Sequence, residues 1–273
     1  MRNIKFFVLL FFLVGCASVK LPTTKYQAYP IAYSINIAND SLYISVNNRL
    51  KCPVRILLPN SKLNQRLERN SLALLETEEK KTFSIYLEGQ KAYNEGLQWR
   101  LGKPISKPNL GEFALPFPKG KEYKIIQGYG GTYSHQIGLA KYALDFEMKV
   151  GDTICSADDG YVVGLVNKYS KNGKSKEWID FANFITVYNP KTNVFTEYAH
   201  LKQNGTLVNI GNFVKAGQPI ALAGNTGWST TPHLHFVAFY RDEDWNAEPI
   251  KVVFKGNVEA ENLKGGDFVK RKD

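Results

Sequence analysis

From residue 113 onward the chain is a succession of short apolar runs punctuated by glycine. They read KIIQGY, YALDFEM, TICSA, YVVGLV, FITVYN, VFTEYAH, PIALAG, HLHFVAF and IKVVF. Runs this short, rich in aromatic and β-branched residues and bounded by turn residues, form strands rather than helices. Residues 28–92 carry the same signature. Tyr33, Ile35 and Ile37 alternate with polar neighbours, as do Leu42, Ile44 and Val46 after the Asn39-Asp40 turn. CPVRILLP and KTFSIYLE supply two more short strands. Short strands joined by Asn, Asp and Pro turns point to a small antiparallel β-sandwich. Residues 61–80 fit either a helix by composition or a Leu-rich sandwich loop. The expected fold class is all-β: an N-terminal small β-sandwich followed by a larger antiparallel β domain.

The chemistry concentrates in the second part. All four histidines of the chain lie there, at His135, His200, His233 and His235. His233 and His235 open the run HLHFVAF. Side chains two apart on a strand share a face. The two imidazoles therefore project together, while Leu234 and Phe236 go to the opposite, core-facing side. Such a pair can hold a metal, divide metal binding and proton transfer between them, or simply make hydrogen bonds in a groove. Asp145 sits in YALDF between two apolar residues, so an inward-facing carboxylate there requires a partner. Two His and one carboxylate with an open fourth position is a catalytic zinc arrangement.

The N-terminus reads as a processing segment. Arg2 and Lys5 precede an apolar run from Phe6 to Val14, too short for a mature membrane span but suited to a signal-peptide core. It ends in Leu13-Val14-Gly15-Cys16, which resembles the bacterial lipobox. Residues 1–15 are then a removable signal, Cys16 carries lipid, and residues 16–27 form a tether. Several acyl chains hold a protein on a membrane at about 0.8 kcal/mol per buried methylene. Cys52 and Cys155 fall in different domains and are expected as free thiols. The net charge of +10 suits an acidic polymer or an anionic membrane face. Nucleic acid is not expected as a partner of an exported lipoprotein.

The motifs FEMKVGDTICSADDGYVVGLV, EYAHL, VKAGQPIALAGNTG and PHLHF, in that order, resemble the catalytic domain of the lysostaphin-type (LytM-like) zinc endopeptidases over about residues 113–256. The resemblance implies an antiparallel β domain with a groove across the sheet, one Zn²⁺, and cleavage of peptide bonds in bacterial peptidoglycan. It assigns His135, Asp145 and His235 as metal ligands. His200 and His233 become catalytic residues that serve the attacking water and the transition state. Tyr129 matches a Tyr near the oxyanion. One departure stands out: residues 136–144 separate His135 from Asp145, a longer interval than the family's usual one.

The division that follows is signal peptide 1–15, lipidated tether 16–27, β-sandwich-like domain 28–92, linker 93–112, peptidase domain 113–256 and basic tail 257–273. Peptidoglycan stem peptides and, through the anchor, a membrane are the expected partners, in a bacterial cell envelope. The lysine-bearing insert 168–182 is expected either to wall the groove or to be a solvated loop. A catalytically inactive relative that binds the wall and regulates other hydrolases is the alternative. A biotinyl- or lipoyl-type carrier is disfavoured, because TICSADDGYV has no Lys at its tip. The N-terminal unit is expected to act as a spacer or to limit access to the groove.

Overall fold

The structure is a computed structural model and describes residues 20–59, 61–69, 74–88, 93 and 96–273. The signal segment and Cys16 lie outside the described residues. Among the described residues the fold is all-β apart from one α-helix, Ser61–Arg69, and three short 3-10 turns. Leu63 and Leu67, one helical turn apart, are buried together, which makes residues 61–69 of the segment 61–80 a helix, whereas Leu74–Leu75 further along it is a strand.

Two three-stranded sheets make the N-terminal unit. One orders Ile31–Ala38, Ser41–Asn48 and Lys80–Tyr86; the other orders Leu74–Leu75, Val54–Leu57 and Gln98–Leu101. Leu42, Ile44, Val46, Val54, Ile56 and Leu101 share one core. Gln98–Leu101 lies within the expected linker 93–112, yet it pairs antiparallel with Val54–Leu57. The unit therefore extends past residue 92, because this strand covers an otherwise open sheet edge.

The second unit is built on a nine-stranded antiparallel sheet. Its order is Phe213–Val214, Gly160–Val166, Phe184–Asn189, Val194–Ala199, His233–Arg241, Leu144–Glu147, Glu122–Gln127 and Phe268–Lys270, with Ala247–Pro249 added beside His233–Arg241. Behind it lies a three-stranded sheet of Leu201–Thr206, Pro219–Ala223 and Thr153–Cys155. Leu144, Phe146, Tyr198, Leu234 and Phe236 point from the large sheet into the core between the two, where they meet Ile154, Leu201 and Ile220. The alternation read from YALDF and HLHF thus places Leu234 and Phe236 as expected.

The basic tail is part of this unit. Phe268–Lys270 pairs with Glu122–Gln127, and buried Arg271 donates from Nη1 to the Phe117 carbonyl at 2.9 Å. The expected tether is docked as well. Tyr26 N–H donates to the Tyr169 hydroxyl at 3.2 Å. Tyr26 packs edge-on against Tyr169, and Lys25 pairs with Asp180 at 2.7 Å. Cys52 and Cys155 are buried free thiols.

Tyr188, Phe195 and Phe239 face away from the inner core of the second unit and belong to the core of the first. A Cβ at Gly102 would lie 2.8 Å from the Phe195 ring, so the first unit sits directly on the outer face of the large sheet. That outer face also carries the histidines.

Candidate metal centre and cleft

Strand register brings the site together. His235 lies opposite Asp145 on one side and Ala199 on the other. Residues opposite one another in an antiparallel pair share a face, so Asp145 and His235 meet on the outer face. Asp145 Oδ1 lies 2.8 Å from His235 Nδ1 and 3.3 Å from His135 Nε2. His135 Nε2 and His235 Nδ1 are 3.3 Å apart. Ligand atoms at about 2.0–2.1 Å from a tetrahedral zinc stand roughly 3.3 Å from each other. Two of the three edges match that value and the third is shorter, so the donor triangle fits one face of a zinc tetrahedron. Three donors of two imidazoles and one carboxylate also match the chemistry zinc prefers.

The long interval after His135 does not remove it from the site. Residues 136–144 rise into the 3-10 turn Gly138–Tyr142 and return to the sheet at Leu144, leaving fully buried His135 beside Asp145. Gln127 holds this loop down. Its Oε1 accepts the Tyr133 N–H at 3.1 Å, and its Nε2 donates to Ser134 Oγ at 2.8 Å and to Asp145 Oδ2 at 3.1 Å. The same side chain thus fixes the carboxylate and the loop that delivers His135.

Backbone carbonyls set the histidine tautomers. His135 Nδ1–H donates to Gly128 O at 3.0 Å, which leaves Nε2 as a lone-pair donor. His200 Nδ1–H donates to Thr226 O and His233 Nδ1–H to Thr231 O, both at 2.7 Å. Each of these two rings therefore keeps a free Nε2. Their centroids are 4.5 Å apart, and His233 Nε2 is 3.8 Å from Asp145 Oδ1. His200 has φ of +62°, an uncommon conformation for a side chain with Cβ. It lies where the chain leaves the large sheet for the small one. Strain of this kind clusters at functional sites.

Electrostatics separate the four groups. Burial, reinforced by repulsion from His233 and His235, pushes His200 down to about 3. Burial also lowers His233, although Asp145 pulls the other way. At His235 burial opposes the charge, but the hydrogen bond and charge of Asp145 prevail and raise it. Burial likewise opposes ionisation of Asp145, yet hydrogen bonds from His135 and His235 hold it well below the usual carboxylate range.

These groups line a cleft of about 640 Å³. One wall is the interval between His135 and Asp145, with Ile137, Leu139 and Ala140. The other is the 3-10 turn Lys176–Phe181 together with Trp228–Thr231. The insert 168–182 thus forms a wall, with Lys176 as its cleft-lining lysine. It is tied to the Gly-rich segment by parallel pairing of Asn172–Gly173 with Gly227–Trp228. Gly227 has φ of +78°, and a Cβ there would lie 2.6 Å from Ala182, so both conformation and space require glycine. The ring of Tyr133, two residues before His135, and the ring of Trp228 from the opposite wall approach to 5.6 Å.

Tyr129 is not placed as expected. Its hydroxyl accepts the Val252 N–H at 3.1 Å, and its ring packs on Tyr142 and the inner core. That bond turns it away from the cleft, where Tyr133 is the tyrosine in the lining. Two cleft residues escaped the sequence reading. Gln127 carried no signal beyond its position in KIIQGY. Glu197 was visible as a lone charge in the apolar strand VFTEYA, and it faces the cleft beside His235.

Residues 140–251 match the model of Peptidase family M23. The chain is 33% identical over 140 residues to an uncharacterized metalloprotease of Buchnera aphidicola, covering 50% of this chain and 34% of that protein. It is 32% identical over 136 residues to the peptidoglycan DD-endopeptidase ShyB of Vibrio cholerae, covering 48% of this chain and 29% of that protein. Among solved structures it resembles the catalytic domain of lysostaphin from Staphylococcus simulans, at 26% identity and a TM-score of 0.32, over 47% of this chain and 87% of that one. The chain thus spans about a third or less of the length of the two curated relatives. The segment that supplies Asp145, His200, His233 and His235 carries the sequence pattern of Peptidase family M23, and His135 lies just ahead of it.

Proposed function

We propose that the chain is a zinc-dependent endopeptidase that hydrolyses peptide cross-links of bacterial peptidoglycan. The convergence of His135 Nε2, Asp145 Oδ1 and His235 Nδ1 carries this reading, because the ligating atoms of the three residues lie within 4.8 Å of one another. The M23 match and the likeness to named endopeptidases support it. These three residues would hold the ion. Zinc bound there supplies Lewis-acid polarisation of a carbonyl oxygen.

The remaining work falls to the chain's own groups. His200 and His233 present unprotonated Nε2 atoms to the cleft. One accepts the proton of the attacking water, and a proton is returned to the leaving amine. A positioned base or acid of this kind contributes about 10²–10⁴ in rate. Gln127 keeps Asp145 and His135 in register. The cleft walls exclude water from an extended peptide lying along the sheet. Cys16 anchors the protein by lipid in the cell envelope. The N-terminal unit and the peptidase unit meet near residue 112, and the last residues complete the second unit.

The test is digestion of purified peptidoglycan by the full chain, with mass spectrometry of soluble fragments. The reading predicts fragments with newly formed amino and carboxyl ends, and none from His200→Ala despite full zinc content. A zinc-loaded wild type that releases nothing would refute it and leave a wall-binding protein.

A further inference from the structure

The outer face of the sheet is organised in rows across neighbouring strands. Phe184, Ala199, His235 and Asp145 form the first row. Thr186, Glu197 and Val237 form the second; Tyr188, Phe195 and Phe239 form the third. Successive rows stand two strand residues apart, about 7 Å. The first row is the floor of the metal centre. The third is covered by the N-terminal unit and buried. Tyr29, from the docked N-terminal segment, seals the edge: a Cβ at Gly164 would overlap its ring, and its hydroxyl lies 3.4 Å from Thr186 Oγ1. The cleft therefore stops at the second row.

Glu197 stands at this closed end. Its only hydrogen bond among the described residues is the one Oε2 accepts from Thr186 Oγ1, at 3.1 Å. Its side chain lines the cleft, and no lysine or arginine pairs with it among the described residues. Glu197 has one neutral hydrogen-bond donor and feels the His235 ring through space, so an ammonium brought against the carboxylate would supply the direct partner that a charge drawn out of bulk water needs. Between the metal-centre row and Glu197 there is room for about two residues of extended chain.

We infer that Glu197 determines specificity by binding a primary ammonium of the peptide substrate at this closed end of the cleft. The inference rests on the peptidase reading and narrows its substrate class. One side of the scissile bond is short and ends in an amine, as on a branched cross-link, while the longer side runs out of the open end.

The test uses muropeptides released by a muramidase from purified bacterial peptidoglycan, either native or N-acetylated with acetic anhydride. Their binding to the zinc-loaded full chain is titrated by tryptophan fluorescence, in the His200→Ala background so that turnover does not consume them. The native pool should bind about tenfold or more tightly than the acetylated pool, the scale of one charge-assisted hydrogen bond. Adding Glu197→Gln should abolish the preference, and Glu197→Asp should keep part of it. Equal binding of the two pools, binding of neither, or a preference that survives in Glu197→Gln would each overturn the inference. Zinc stoichiometry reports whether each variant keeps its fold. Failure of the peptidase reading looks different: the preference would stand while the wild type released no fragments.

Discussion

Replacing Gln127 with leucine should weaken zinc binding without touching a ligand. The amide lies at the junction of three elements. It donates to Asp145 Oδ2 at 3.1 Å and to Ser134 Oγ at 2.8 Å, and it accepts the Tyr133 N–H at 3.1 Å. Leucine keeps the bulk and removes all of these bonds, together with the longer one that Oε1 accepts from Ser134 N–H at 3.4 Å. Asp145 loses the donor that orients its second oxygen, and the loop bearing His135 loses its clamp. Losing such an outer partner typically lowers metal affinity about 10- to 100-fold, which is roughly 1.4–2.7 kcal/mol. The fold should survive, because Tyr133 is exposed and Ser134 is partly so, and water can replace their lost partners at about 1 kcal/mol each. Competition with a chromogenic chelator at neutral pH measures the zinc affinity, and urea unfolding measures the fold. A folded Gln127→Leu protein with zinc affinity within about twofold of wild type would refute the clamp argument.

Three further outcomes follow from the same structure. Gly227→Ala should destabilise the chain by more than about 1 kcal/mol in urea unfolding, since it combines a left-handed conformation with a Cβ 2.6 Å from Ala182; an unchanged midpoint would remove the steric argument. The metal-free protein should lose stability as pH falls. His200 and His233 are depressed by burial, so the unfolded state takes up protons first, near 6.5, and stability declines from there towards about 3 for His200. His235, raised by Asp145, acts oppositely, with a contribution lost as pH rises through its folded value. Urea midpoints that rise on acidification below 6.5 would contradict this sign. Finally, a fragment of residues 113–273 should aggregate or unfold more readily than the full chain, because Tyr188, Phe195 and Phe239 would be uncovered. A monomeric fragment with full-chain stability, by ultracentrifugation and urea unfolding, would count against a shared core.

The Asp145–His235 part of the candidate site was legible because strand alternation is local, whereas His135, which lies outside any strand, entered only through the family resemblance. HLHF and YALDF state which side chains face which way, and register then makes Asp145 and His235 neighbours. Features set by distant pairing were not legible. Phe268–Lys270 reads as a basic tail until it meets Glu122–Gln127, and Gln98–Leu101 reads as linker until it meets Val54–Leu57. Tyr129 was assigned by resemblance, but the bond from Val252, far along the chain, turns its hydroxyl away. Glu197 displayed its charge in sequence. Its meaning depends on the N-terminal unit closing the cleft beside it, which no local pattern records.

A zinc titration of the chain with single substitutions at five positions decides whether His135, Asp145 and His235 hold the ion. One zinc per wild-type chain is expected, with loss of high-affinity binding in His135→Ala, Asp145→Asn and His235→Ala, and retention in His200→Ala and His233→Ala. Zinc binding that survives in the first three variants, or that disappears in the last two while the fold remains intact, would contradict that assignment.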